Sequence, residues 1–421
     1  MKRKEFLQTG SLATAALLLP RFLKAFERPV FVPPGNKVLV VLQLSGGNDG
    51  LNTVIPVRND IYYQGRPGLG IEKARALSLT DEAGLHPALS GFKGLYDDGS
   101  LGILSSVGYP NPDRSHFRSM DIWQTASDSR QYLTTGWLGR YLDAQCSACD
   151  HPTQALEIDD VVSLALKGDQ IKGMALKDPR RLYTASHDNY FRDIVAAHRP
   201  QGGLSQGSRL VQGGKAGSLT QTGAHLGEQP VDYLYKTMAE TLSGADYIFN
   251  QSKLRASTAT YPNTDIGKNL HTIASLIFSE INTRVYYLSL GSFDTHVNQA
   301  AQQQRLFSEL NDAVTAFVAD LKANHRFEDT LLLTFSEFGR RVAQNASGGT
   351  DHGTANTMFL IGGGLQRKGL INGLPDLNDL EEDDLKYKVD FKDVYATVLN
   401  KWLGADDKMI LGRHSSYLDF I

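Results

Sequence analysis

The chain has 421 residues, of which 41% are hydrophobic and 21% charged, enough for one large α/β domain or two ordinary ones around a substantial core. A formal net charge of −3 implies no basic face and argues against nucleic acid as a partner.

The N-terminus reads as an export signal. Basic residues among Met1–Leu7 precede polar Gln8 and Thr9. The apolar stretch Leu12 to Leu19 then fits a signal h-region and is too short to span a bilayer as a helix. Arg3-Lys4-x-Phe6-Leu7 looks like a twin-arginine signal with Lys in place of the second Arg. Residues 1–25 are therefore expected to direct export to the periplasm or cell envelope of a bacterium. Leu23-Lys24-Ala25 is a poor cleavage site, which leaves an uncleaved anchor open. No later apolar run reaches membrane length, so no transmembrane span is expected in the mature chain.

Residues 37–44 form a continuous apolar run typical of a buried parallel strand, broken sharply by Gly46-Gly47-Asn48-Asp49-Gly50. That turn is neither G-x-G-x-x-G nor a Walker loop, so nucleotide binding is poorly supported. A helical period runs from His86 to Tyr96, and LGILSSVG (101–108) is a second strand leading to Arg114-Ser115-His116. Helices are expected near Ser115–Trp123 and Trp137–Cys146, with short strands at 153–158 and 173–176. Cys146 and Cys149 fit a local disulfide or two ordinary thiols better than a redox pair. A zinc site there would need a partner such as His151.

Residues from about 200 to 230 are rich in Gly, Gln and Ser and read as a flexible insert. Helices follow at about 231–254 and 264–281, the latter opened by Thr264 and Asp265. The strand 284–290 ends at Asp294-Thr295-His296. A long helix, about 298–323, crosses back to the strand 329–335, which ends at Glu337 with Arg340 and Arg341 close behind it. Asp351-His352-Gly353 precedes a strand at 357–361. Asp376 to Asp384 reads as a solvated acidic loop, and 390–404 as a closing amphipathic helix. Strands alternating with helices give a doubly wound α/β fold over 37–421, a mostly parallel sheet flanked by helices.

Ligands of such a sheet bind beyond the carboxyl ends of its strands. Asp49, Asp294, His296, Glu337, Asp351 and His352 all follow strands or flank them, and carboxylate with imidazole is metal-ligand chemistry. Ser115, at an expected helix start, offers a hydroxyl that a neighbouring cation could activate. Arg114, His116 and Arg340 could neutralise charge on a transferred anionic group.

Seven stretches, in order, carry a family resemblance: LQLSGGNDGLNTVIP (42–56), LHPALSGFKGLYDDGSLGILSSVGYPNPDRSHF (85–117), TGWLGRYLD (135–143), FDTHVNQ (293–299), TFSEFGRR (334–341), GGTDHG (348–353) and DFKDVYATVLNKWLG (390–404). The chain resembles the bacterial family of exported proteins called domain of unknown function 1501, related to the alkaline phosphatase and sulfatase superfamily. The resemblance implies a metal-dependent hydrolase fold. Asp49 matches a first-strand ligand, Ser115 the nucleophile, Asp294 and His296 a second ligand pair, and His352 a late ligand. Glu337 stands where an Asp-His pair is usual, and Phe338 replaces that His. One or two divalent metals therefore stay open, with zinc, calcium or magnesium as identities. The sulfatase Cys nucleophile motif is absent. The expected activity is hydrolysis of a phosphate or sulfate ester, with that anionic ester as partner. The alternative is a non-catalytic envelope scaffold, and the resemblance adds a companion exported protein as a partner. An oxidoreductase built on the two cysteines ranks last.

Overall fold

The computed structural model describes residues 36–145, 152–189, 193 and 230–421. The expected export signal, Cys146, Cys149, His151 and the expected insert from 200 to 229 lie outside the described residues. Phe31–Asp178 with Asn250–Ile421 form one compact unit, and Pro179–Phe249 belong to another. In the latter, Tyr183 stacks on His187 and Phe249 at ring separations of 4.0 and 4.1 Å. Everything below concerns the larger unit. Among the described residues, no helix is long and apolar enough to cross a membrane.

Nine strands form the central sheet: β1 Val38–Leu44, β2 Leu101–Gly108, β3 Ala155–Glu157, β4 Met174–Ala175, β5 Val285–Leu290, β6 Thr330–Phe335, β7 Asn356–Gly362, β8 Gly369–Leu370 and β9 Val389–Asp390. Their order is β8-β2-β7-β6-β1-β5-β3-β4, with β9 also paired to β2. β1 is buried along its whole length because parallel neighbours and helices enclose both its faces. The exception to the parallel run is β7, antiparallel to both β6 and β2.

Six helices matter here: α1 Ser90–Asp97, α2 His116–Thr125, α3 Trp137–Gln145, α4 Asp265–Phe278, α5 Gln299–Ala323 and α6 Phe391–Thr397. Leu39 and Val41 of β1 face a core shared with Trp123 of α2, Trp137 of α3 and Phe391 and Tyr395 of α6. Trp123 is stacked between Phe335 and Phe391, with centroids 5.3 and 4.2 Å away. Aromatic pairs of this kind add roughly 0.5–1.5 kcal/mol each beyond area burial. Elsewhere on the sheet, Phe92 of α1 meets Phe359 edge-on at 5.0 Å. α5 buries Gln303, Leu306, Phe307, Leu310, Val314, Phe317 and Leu321, the three- and four-residue spacing of a helix with one apolar stripe. Thr264 caps α4 by accepting from the Gly267 N–H.

The sequence reading missed a small three-stranded antiparallel sheet, Val54–Pro56, Leu77–Ser78 and Ala83–Leu85. Its strands are two or three residues long, too short for an alternating pattern to register. The acidic stretch from Asp376 to Asp384 is also not simply a solvated loop. Leu380–Glu381 pairs with Asp384–Leu385, and Asp384 is buried against Arg114.

This topology fixes where the chemistry emerges. β6, β1 and β5 lie side by side and parallel, so the loops after Phe335, Leu44 and Leu290 leave by one edge. β2 runs the same way as β6, because β7 opposes both, and the loop after Gly108 joins them there. The start of β7 is at that same edge, which brings in residues 351–353.

Candidate functional site

His116, Asp294 and His352 each offer one ligand atom, and these atoms lie within 4.8 Å of one another. His116 is the first residue of α2, Asp294 follows β5, and His352 precedes β7. Nε2 of His116 is 3.5 Å from Asp294 Oδ2, and Nε2 of His352 is 3.2 Å from Asp294 Oδ1. His296 approaches from the His352 side, its Nε2 3.1 Å from Asp294 Oδ1 and 2.9 Å from His352 Nε2. Three imidazoles thus turn the same nitrogen toward one carboxylate.

The opposite nitrogen of each ring is held from behind. His116 Nδ1 donates to Glu337 Oε1 at 3.0 Å, His296 Nδ1 to Asp351 Oδ1 at 3.2 Å, and His352 Nδ1 to the Arg114 carbonyl at 2.8 Å. Carboxylates and carbonyls only accept, so each Nδ1 carries a hydrogen. Fixing the far nitrogen in this way is what orients metal-ligating histidines.

Three imidazole Nε2 atoms and the Asp294 carboxylate face one another, an arrangement that protons on the rings or a bound cation would hold together. A zinc ion with bonds of about 2.0–2.1 Å in tetrahedral geometry sets its ligand atoms about 3.3 Å apart. Four of the separations, 2.9, 3.1, 3.2 and 3.5 Å, lie near that value, the last to the second Asp294 oxygen, and the ligand atoms of His116, Asp294 and His352 all lie within 4.8 Å of one another. The residues present could therefore hold a small divalent ion with nitrogen-rich ligation.

Protonation states suit the same role. Partial burial works against an ionised Asp294, but the Arg340 hydrogen bond and charge, with His352 and His296, outweigh it and hold the carboxyl below its ordinary range. Burial depresses the His352 pKa, helped by the charges of Arg340 and His116 and opposed by the Arg114 carbonyl and Asp294, which favours the neutral, ligating ring. Asp351 is held acidic chiefly by a hydrogen bond from Asn345.

The other expected residues take different places. Asp49 is not in the cluster. Its buried carboxylate caps the Gly50–Thr53 turn and is gripped by Arg66, with Nη1 2.5 Å from Oδ2 and Nη2 3.0 Å from Oδ1, while Gln299 also donates to Oδ2. Glu337 and Asp351, expected as ligands, stand behind His116 and His296 as the acceptors that aim them. The Glu337 carboxylate is fixed in turn by the Gly46 N–H at 2.8 Å. Arg340, expected to neutralise transferred charge, is wholly buried. Its guanidinium donates to the carbonyls of Gly46, Gly47, Phe293 and Thr350 and to Asp294 Oδ1 at 2.7 Å. It clamps three loops and positions Asp294. The Arg114 guanidinium points to Asp384 and Glu382, so only its carbonyl serves the site.

Ser115 precedes α2, between the Arg114 carbonyl that holds His352 and the cluster residue His116. It is exposed, and its hydroxyl makes no capping bond to the helix. Phe338 packs against the rings of His116 and His352, at 4.9 and 4.5 Å, as an apolar wall. Gly46, with φ of +118°, lets its loop lie against the backbone of Phe293 and Asp294, where a side chain would collide. The reading from sequence placed His116 among the charge-neutralising residues rather than the ligands. It had no signal for Arg66 or Asn345, whose roles depend on contacts remote in sequence or on a loop conformation.

Residues 228–416 match the profile of a family described as a protein of unknown function, DUF1501. This stretch, less than half of the chain, is similar to that family. No curated protein matches the sequence. Among solved structures it is similar to the lipoteichoic acid synthase LtaP from Listeria monocytogenes, with 10% identity over 90% of this chain and 74% of that one, at a TM-score of 0.38. It is similar to the PsFucS1 sulfatase from Pseudoalteromonas sp. at 12% identity, 91% and 71% coverage and a TM-score of 0.37. A protein in the alkaline phosphatase superfamily from Vibrio parahaemolyticus gives 11% identity, 93% and 76% coverage and a TM-score of 0.37. Likeness at this level assigns no residue a role, and the roles above rest on distances within this chain.

Proposed function

We propose that this chain is an exported hydrolase of phosphate or sulfate esters that depends on one divalent metal, with zinc the best fit. The observation that carries the reading is the common arrangement of His116, His296 and His352, each with Nδ1 tied to an acceptor and Nε2 turned to Asp294. These four residues would hold the metal. Bound there, it would act as a Lewis acid on an ester oxygen. Arg340 keeps Asp294 ionised and in place, while Glu337 and Asp351 keep two of the rings in the ligating tautomer. The Ser115 hydroxyl, exposed beside His116 and uncommitted to the helix cap, is the nucleophile in this scheme. Arg66 already compensates Asp49, which supports one metal rather than two.

The N-terminal signal expected from the sequence supports a periplasmic or envelope location. Metal content of the purified protein, followed by turnover of aryl phosphates and aryl sulfates by wild type and Ser115→Ala, tests the proposal. Metal-dependent turnover lost in Ser115→Ala is expected. Bound metal without turnover on a broad panel would instead favour an envelope scaffold with a structural metal. That second reading draws on one observation: among the described residues, no general base is hydrogen-bonded to the Ser115 hydroxyl.

A further inference from the structure

We propose that Asp113 is the general base that takes the proton of the Ser115 hydroxyl, an inference that rests on the metal-hydrolase reading above. The other acids around Ser115 are engaged elsewhere. Asp384 and Glu382 pair with the Arg114 guanidinium, and Glu337 and Asp294 face His116. Asp113 differs from them. Its Oδ1 accepts from the Ser115 N–H at 2.7 Å, and its carboxylate has no other hydrogen bond and no ion pair among the described residues.

The backbone of Asp113 is locked to the helix that presents Ser115. Its N–H donates to the buried Tyr109 hydroxyl at 3.2 Å, and its carbonyl accepts from the buried Ser119 hydroxyl at 2.5 Å. Those two hydroxyls lie 3.2 Å apart, which closes a ring of hydrogen bonds. Ser119 is one turn along α2, and its N–H donates to the Ser115 carbonyl at 2.9 Å. Asp113 and Ser115 therefore keep their relative positions, with the remaining carboxylate lone pairs unspent.

The Ser115 hydroxyl is exposed and makes no bond to the helix cap. Contacts between base and nucleophile are often long before substrate binds and tighten in its presence. In the proposed step the Oγ–H proton passes to an Asp113 oxygen as Oγ bonds to the phosphorus or sulfur of the ester. The bond to the leaving oxygen breaks with its electron pair, and that oxygen takes a proton from water. Hydroxide from that water then attacks the ester on Ser115 and expels Oγ, which recovers its proton from Asp113 and frees phosphate or sulfate. An Asp that merely closes a turn onto the N–H two residues on would show the same 2.7 Å contact, and Asn closes such a turn equally well. That equivalence separates the two roles.

The test uses the full chain loaded with zinc, with aryl phosphate and aryl sulfate as substrates. Asp113→Asn keeps an oxygen for the Ser115 N–H and loses the base. It is expected to lower kcat by about 10²–10⁴-fold, with KM and zinc content unchanged. Asp113→Ala should fall at least as far, and added formate, a small carboxylate base, should restore part of its kcat while leaving wild type unaffected. Circular dichroism checks that both variants fold. A wild-type kcat in Asp113→Asn, or a fall in Asp113→Ala that formate leaves untouched, overturns the proposal and leaves the metal and Ser115 readings standing. Wild type that holds no zinc, or holds zinc and turns over neither ester, overturns the hydrolase reading and this proposal with it.

Discussion

Breaking the Arg66–Asp49 pair should cost far more than a surface ion pair, and it should do so without disturbing the metal. Neither side chain sees solvent, at 0% and 1% exposure. Arg66 spends its donors on Asp49 Oδ1 and Oδ2, Asn52 Oδ1, and the carbonyls of Val342 and Arg341. Arg66→Met leaves an uncompensated buried carboxylate, a loss of about 3–5 kcal/mol. Asp49→Asn strands the guanidinium instead and is expected to cost a similar amount, less the capping bond that Asn retains. In the double variant both charges are gone, so the costs should fall well short of additive, with a coupling of about 2–3 kcal/mol. Urea denaturation in the presence of EDTA removes any contribution of bound metal to these differences. Zinc content measured without EDTA should remain near one per chain in Asp49→Asn. A variant Asp49→Asn that keeps its stability but loses zinc would show that Asp49 is a ligand and that the ion-pair reasoning is wrong.

Glu337→Gln and Asp351→Asn should each lower metal affinity about 10–100-fold, against near-complete loss in His352→Ala, because they release a ring without removing a ligand; competition with a coloured chelator measures this. Glu157, at the end of β3 and 5% exposed, has its pKa pushed by burial from 4.5 up to about 7, against a hydrogen bond from the Ser163 N–H. A raised carboxyl pKa means that the folded state binds the extra proton. Its favourable share of stability is complete below about pH 4.5 and lost as pH rises through 7. Glu157→Gln should therefore stabilise the protein by up to about 3 kcal/mol at pH 8 and by little at pH 5, from denaturation midpoints at the two values. Equal gains at both would remove Glu157 as the cause.

The sheet was legible because its strands announce themselves. VLVVLQL, LGILSSVG and TLLLTF are predominantly apolar runs, and each proved to be a buried strand. The site's neighbourhood was legible for the same reason, since residues that follow parallel strands must gather at one edge. What pattern could not give was the division of labour within that edge. Whether a carboxylate ligates or stands behind a histidine depends on a few ångströms of loop geometry. Glu337 and Asp351 read identically to Asp294 until their partners are seen. Arg66 lies 17 residues from Asp49, across a short strand and a short helix, so no periodicity connects them. Ion pairing across loops leaves no local signature, which is also why Arg114 and Arg340 looked available from sequence.

The central claim is that His116, His296, His352 and Asp294 enclose one metal ion. A crystal structure of zinc-loaded protein, with anomalous differences collected at the zinc edge, tests it most directly. A single peak at about 2.0–2.2 Å from the three Nε2 atoms and an Asp294 oxygen is the predicted result. A featureless map at these residues under saturating zinc, or density seated instead on Asp49 or Glu337, would contradict it.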